Sequence, residues 1–162
     1  MKVGDVMTRT PAFCTPATNL GSAVEILWNR NCGILPVLDS HERVVSVITD
    51  RDICIALGTR NRAPGEITVG DVAAQRAICC SADEDVRSAL AKLAEAKVRR
   101  LPVIDAERKL EGLLSMDDVV DRTRLKAPVK GDGLTPEDVV STLKRLYAAQ
   151  LPVVANSKAV SA

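Results

Sequence analysis

The hydrophobic pattern of this chain passes through the same series of elements twice. In each pass a short apolar run precedes apolar residues at helical spacing, two short strands around a polar turn, and a second helix. The apolar runs span 11–14 and 77–80. The first-helix pattern is carried by Leu20, Ala23, Val24 and Leu27, and by Val86, Ala89, Leu90 and Leu93. The pattern predicts two β-α-β-β-α units.

The two units are copies of one sequence. Val-Gly-Asp-Val occurs at 3–6 and at 69–72, an offset of 69 − 3 = 66, and Leu-Pro-Val recurs at the same offset. A gapless alignment of 3–53 with 69–119 gives 13 identical pairs. Because neither copy alone provides a large core, we expect an α/β (α+β) fold whose repeats pack about a pseudo-two-fold axis.

Three segments follow from this repeat. Residues 1–62 form the first unit and 63–125 the second, and 126–162 contain a linker, an amphipathic helix beginning at Pro136 and a disordered tail. The apolar face of that last helix must be buried against another surface.

Composition excludes several classes of protein. The 162 residues carry 22 Lys and Arg against 21 Asp and Glu, and 46% of them are hydrophobic, which is typical of a folded globular chain. A net charge of +1 and one residue each of Trp, Tyr and Phe argue against nucleic acid as a partner. We expect no membrane span and, without an export signal at the N-terminus, a cytoplasmic location.

The cysteines and the single histidine bear on chemistry. Five cysteines without C-x-x-C spacing favour reduced, buried side chains over a metal site, although a thiol redox sensor stays open. The one histidine, His41, lies in a polar turn and offers no nucleophile-base pair. We therefore expect neither an enzyme nor a metal centre.

The order of these motifs, which both copies share, resembles that of a known family. Val-Gly-Asp-Val-Met, Gly-Ile-Leu-Pro-Val-Leu-Asp and Val-Ile-Thr-Asp-Arg-Asp-Ile in the first copy, with Val-Arg-Arg-Leu-Pro-Val-Ile-Asp and Gly-Leu-Leu-Ser-Met-Asp-Asp-Val in the second, resemble a tandem pair of cystathionine-β-synthase (CBS) domains over about residues 1–125. The resemblance implies a two-repeat Bateman module. Such modules often bind AMP, ADP, ATP or S-adenosylmethionine in clefts between the repeats, and they usually pair as disc-shaped dimers.

Two [Ser/Thr]-x-x-Asp motifs stand at the predicted strand-to-helix junctions, at 49–52 and 115–118. One interpretation is purely structural, because a hydroxyl followed three residues later by an acid is a capping box. The other uses the same geometry for a ligand, with phosphate at the helix N-terminus and ribose hydroxyls on the carboxylate. Both interpretations can hold together.

The resemblance also implies which residues complete each cleft. Thr49 and Asp52 would act with Ile78, Val98, Arg99 and Arg100, whereas Ser115 and Asp118 would act with Ala12, Cys32 and Gly33. Because the two arginines replace Gly33 and Ile34 of the first copy, we expect the Thr49 cleft to prefer phosphate. Ser46 stands where the second copy has Gly112, so the backbone approach in the first copy is expected to differ.

These observations lead to one main hypothesis and two alternatives. We expect a non-catalytic regulatory module with no tightly bound cofactor, which binds an adenosine-containing ligand and transmits its occupancy through a homodimer to a protein partner. The alternatives are a ligand-free dimerisation or interaction scaffold, in which the motifs are only helix caps, and the less favoured thiol redox sensor.

Overall fold

The computed structural model describes residues 1–73, 76–123 and 133–148. Its first repeat contains a short strand and a helix followed by a hairpin and a second helix. These elements are β1 (Thr8–Arg9), α1 (Leu20–Asn29), β2 (Ile34–Leu38), β3 (Val44–Thr49) and α2 (Asp50–Arg60). The second repeat supplies α3 (Val86–Ala96), β4 (Arg100–Ile104), β5 (Leu110–Ser115) and α4 (Met116–Arg122), and α5 (Pro136–Tyr147) follows.

Each repeat contributes a two-stranded antiparallel hairpin. β2 pairs with β3, and β4 pairs with β5, with a register irregularity at the equivalent positions Val37/Leu38 and Val103/Ile104. β1 adds a third strand to the hairpin of the second repeat. The predicted mixed α and β fold with two equivalent repeats is therefore confirmed.

The apolar runs predicted as first strands are shorter in the structure. Each makes a single parallel bridge, Cys14 to Val37 and Cys80 to Val103. The amide of Cys14 donates to Pro36, and the amide of Leu38 donates back to Cys14. The equivalent bonds form around Cys80. These runs therefore line the hairpins without extending the sheets over their predicted lengths.

The repeats exchange their leading segments. The amide of Gly4 donates to the carbonyl of Ala82 at 2.9 Å, and the amide of Gly70 donates to Pro16 at 2.9 Å. A Cβ at either glycine would lie 3.2 Å from that carbonyl oxygen, so the close approach favours glycine. Residues 3–7 consequently pack in the core of the second repeat, and residues 67–69 pack in the core of the first.

The C-terminal helix is confirmed and is attached to the second repeat. Val139 and Leu146 are buried in the same core as α3. The guanidinium of Arg87 donates to the Asp138 carboxylate at 3.4 Å and to the carbonyl of Gly133 at 2.9 Å. The expected disordered tail and most of the expected linker lie outside the described residues.

Candidate functional site

Both predicted capping boxes form. Thr49 caps α2: its hydroxyl accepts from the amide of Asp52 at 3.2 Å and donates to the Asp52 carboxylate at 2.7 Å. Ser115 caps α4 with the same bonds to Asp118, at 3.0 and 2.5 Å. Because each hydroxyl donates its one proton to its own carboxylate, a phosphate at these positions must be held by other donors. The structural interpretation of the motifs is correct, and it leaves room for a ligand.

The two carboxylates differ in their second oxygen atom. In both, Oδ2 accepts from the capping residue's amide and hydroxyl. Oδ1 of Asp118 accepts from the Thr8 hydroxyl at 2.9 Å, whereas Oδ1 of Asp52 has no partner within the described residues. Asp52 therefore retains an acceptor that a ligand hydroxyl can use.

A cavity of about 390 Å³ opens beside Thr49 and is walled by both repeats. The first repeat contributes 33–34, Val47 and 49–51. The second contributes Arg76, Ile78, 97–100 and Pro102. Five of the six residues expected at this cleft thus line one cavity: Thr49, Ile78, Val98, Arg99 and Arg100. Asp52 does not line this cavity; it lies one helical turn inside α2, where its carboxylate accepts from the hydroxyl of Thr49.

Positive charge dominates the lining of this cavity. Its cationic residues are Arg51, Arg76, Lys97, Arg99 and Arg100, against one acid, Asp50. A cleft lined by one sign of charge concentrates ligands of the opposite sign. The cavity therefore favours an anionic ligand.

Not all of these cations are equally available. The guanidinium of Arg100 lies 3.5 Å from Asp117, and the Lys97 amine donates to the carbonyl of Arg145 at 2.9 Å. Arg51, Arg76 and Arg99 have no ion-pair partner within the described part of the chain, and all three are exposed. These three guanidinium groups are the ones best able to meet a phosphate.

The three residues of the first repeat that are expected at the other cleft line different cavities. Ala12 lines a cavity of about 700 Å³ beside α1, whereas Cys32 and Gly33 line a separate cavity of about 730 Å³ between α1 and α2. Ser115 and Asp118 line neither of these two cavities. The expectation that these five residues form one site therefore stays a prediction.

The thiol groups show how burial opposes redox chemistry. Burial raises the pKa of Cys14 to about 11 and that of Cys80 to about 12. Burial also raises the pKa of Cys79, despite the nearby charge of Arg108. Because the thiolate is the reactive form, these three cysteines are poorly suited to act as redox sensors.

The described residues contain no cluster of three or more side chains suited to a metal ion.

Sequence reasoning missed three cations. Arg51, Arg76 and Lys97 line the Thr49 cavity. Nearness in the sequence was a usable signal, because Arg76 lies two residues before the expected contact Ile78 and Lys97 lies one residue before Val98.

None of the helices in the described part is long and apolar enough to cross a membrane.

Among curated proteins, the chain is 31% identical over 143 residues to an uncharacterised 17.7 kDa protein of Acidianus ambivalens, covering 87% of this chain and 84% of that protein. It is 26% identical over 123 residues to the inosine-5'-monophosphate dehydrogenase of Methanocaldococcus jannaschii, covering 76% of this chain. That alignment spans only 24% of the dehydrogenase. The alignment with an uncharacterised protein of Methanopyrus kandleri spans 61% of that protein.

Solved structures share the fold. The CBS domain pair of protein MJ0100, in complex with 5-methylthioadenosine and S-adenosyl-L-methionine, is 25% identical, with a TM-score of 0.68 over 75% of this chain and 94% of that one. CBSX2 of Arabidopsis thaliana, in complex with AMP, is 30% identical, with a TM-score of 0.65 over 74% and 93%.

The family model described as "CBS domain" matches this sequence twice, at residues 3–59 and 69–124. These two matches cover most of the chain and coincide with the two structural repeats. The chain therefore belongs to the CBS domain family and contains a tandem pair of CBS repeats.

Proposed function

We propose that this chain is a non-catalytic regulatory module that binds an adenosine phosphate in the cleft beside Thr49. The observation that carries the proposal is the cavity walled by both repeats, with three unpaired guanidinium groups in the described lining and an apolar wall. Two similar CBS pairs were solved with adenosine ligands, one with AMP and one with 5-methylthioadenosine and S-adenosyl-L-methionine. The positive charge of the cleft favours AMP, ADP or ATP over S-adenosyl-L-methionine.

Each part of an adenosine phosphate has a complementary group. Ile78, half exposed, and Val98 offer an apolar wall for the base. Oδ1 of Asp52 can accept from a ribose hydroxyl. The phosphates fit Arg51 and Arg99, together with the positive end of the eleven-residue helix α2.

The charge argument also predicts an order of ligands. Two opposite unit charges 4 Å apart attract by about 4 kcal/mol at an effective dielectric constant of 20, and solvent screening reduces this at an exposed guanidinium. Each added phosphate should therefore strengthen binding. S-adenosylmethionine carries a sulfonium cation, which the same three arginines repel.

Calorimetric titration of the chain with AMP, ADP, ATP, adenosine and S-adenosylmethionine tests the proposal. We expect ATP to bind most tightly, and Arg99→Ala to weaken ATP binding about tenfold while changing adenosine binding little. Arg122→Ala is the matched control, because this exposed arginine lies at the end of α4 and does not line the cavity. No binding by any phosphate, or equal weakening by both variants, would overturn the proposal.

Transmission to a partner has a physical route. Gly33, Asp50, Arg99 and Arg100 line both the Thr49 cavity and the neighbouring cavity between α1 and α2. The second cavity also contains Trp28, which is 84% exposed. We propose that a homodimer covers this apolar surface and that ligand charge, acting on the shared residues, alters the packing there.

The same surface supports a second candidate, the ligand-free interaction scaffold. Val24 and Ile55 are also about half exposed, so α1 and α2 present several uncovered apolar side chains. Sedimentation of the chain with and without ATP separates the two candidates. A dimer whose stability and shape ignore ATP, in a chain that binds no nucleotide, would favour the scaffold.

A further inference from the structure

The cationic lining of the Thr49 cavity is not repeated at the equivalent positions of the other copy. The five cationic residues of the Thr49 cavity are replaced, at the offset of 66, by residues without positive charge. Arg51, Arg76, Lys97, Arg99 and Arg100 correspond to Asp117, Thr10, Asn31, Gly33 and Ile34. These five positions therefore supply no positive charge beside Ser115, and its cross-strand neighbour Arg100 lies 3.5 Å from the Asp117 carboxylate.

Both oxygen atoms of the second motif's carboxylate accept hydrogen bonds from the chain. Oδ2 of Asp118 accepts from the amide and hydroxyl of Ser115, and Oδ1 accepts from the Thr8 hydroxyl at 2.9 Å. The residue that corresponds to Thr8 in the other repeat is Ala74, which has no hydroxyl. The difference between Asp118 and Asp52 is therefore encoded in the sequence.

The segment that carries Thr8 is held firmly against the second repeat. Thr8 and Arg9 form β1 and pair with Leu113 and Gly112 of β5. Met7, which is buried, lies so close to Gly112 that a Cβ there would fall 2.5 Å from the methionine sulfur atom. Thr8 and Arg9 are themselves exposed, but this pairing and the buried Met7 fix the segment, so a ligand would have to displace the Thr8 hydroxyl from Asp118.

From these three observations we infer that the Thr8 hydroxyl blocks the second motif as a ligand site, so that each chain binds one adenosine phosphate, beside Thr49. The Thr8 hydroxyl takes at Asp118 the position that a ribose hydroxyl takes at Asp52. This inference rests on the proposed function for the identity of the ligand. The occupation of Asp118 by Thr8 can be tested without any ligand.

Calorimetric titration with ATP measures the stoichiometry. We expect one ATP for each chain, at least tenfold weaker binding in Asp52→Asn, and a change of less than twofold in Asp118→Asn. The two substitutions are matched, since they make the same change at equivalent positions of the two capping boxes. Two ATP molecules for each chain, or equal weakening by both variants, would overturn the inference while leaving the proposed function intact.

A double-mutant cycle tests the contact between Thr8 and Asp118 directly. Thr8→Val should lower the urea midpoint of unfolding in the wild-type chain and leave it unchanged in the Asp118→Ala background. Thr10→Val is the control, because the hydroxyl of Thr10 donates to the carbonyl of Arg9 and not to Asp118. This change should have the same effect in both backgrounds. If Thr8→Val acts alike in both, the inference is wrong, whether or not the chain binds nucleotide.

Discussion

Gly112 and Met7 form a size-matched pair, and changing either one has a calculable cost. A Cβ added at Gly112 would lie 2.5 Å from the Met7 sulfur, 3.1 Å from its Cγ and 2.9 Å from the carbonyl oxygen of Thr8. The methionine can turn aside, but the carbonyl belongs to the β1 backbone. We expect Gly112→Ala to destabilise the chain by about 2 kcal/mol, within the usual 1–3 kcal/mol for an overfilled core.

The first repeat shows how the sequence can solve the same problem. There Ser46 stands at the position of Gly112, and Ala73 stands at the position of Met7. A larger residue on the strand is thus accompanied by a smaller one in the leading segment of the other repeat. Met7→Ala alone should cost about 2–5 kcal/mol, because it leaves a cavity in the core.

The double variant Gly112→Ala/Met7→Ala should therefore be more stable than the sum of the single changes predicts, by about 1 kcal/mol. Rescue is incomplete because the Thr8 carbonyl still meets the added Cβ. Urea unfolding followed by circular dichroism at 222 nm measures all four chains. A neutral Gly112→Ala variant, or strictly additive effects, would refute the close packing of these two residues.

Two further predictions concern titration and thiol reactivity. Hydrogen bonds from the amide and guanidinium of Arg43 lower the pKa of Asp39 to about 2. Since the unfolded value is about 3.9, the stability that this carboxylate contributes is present above pH 4 and is lost as pH falls toward 2. Asp39→Asn should thus be less stable than the wild type at pH 7 and similar to it near pH 2 in urea unfolding; a pH-independent difference would contradict this. Iodoacetamide labelling at pH 7.5, read by mass spectrometry, should modify the exposed Cys54 well before Cys80, whose pKa burial raises to about 12; the reverse order would reopen the redox-sensor alternative.

The sequence by itself determined the repeat, the elements and their caps. An offset of 66 with 13 identities required two equivalent units, and the spacing of apolar residues located α1 and α3. Thr49 and Ser115 were recognisable as helix caps. These features are predictable because helical periodicity and capping depend on residues within four positions of one another.

Only the tertiary structure decided which distant residues meet. The exchange of residues 3–7 and 67–69 between the repeats depends on packing that no local pattern encodes. The same packing brings Arg76 to a cavity beside Thr49, and it joins Thr8 to Asp118 across 110 positions of the chain. The sequence already predicted that the two clefts differ, because Arg99 and Arg100 replace Gly33 and Ile34. The structure adds Arg51, Arg76 and Lys97 to the Thr49 cavity, because its walls come from both repeats, whose packing no local pattern encodes.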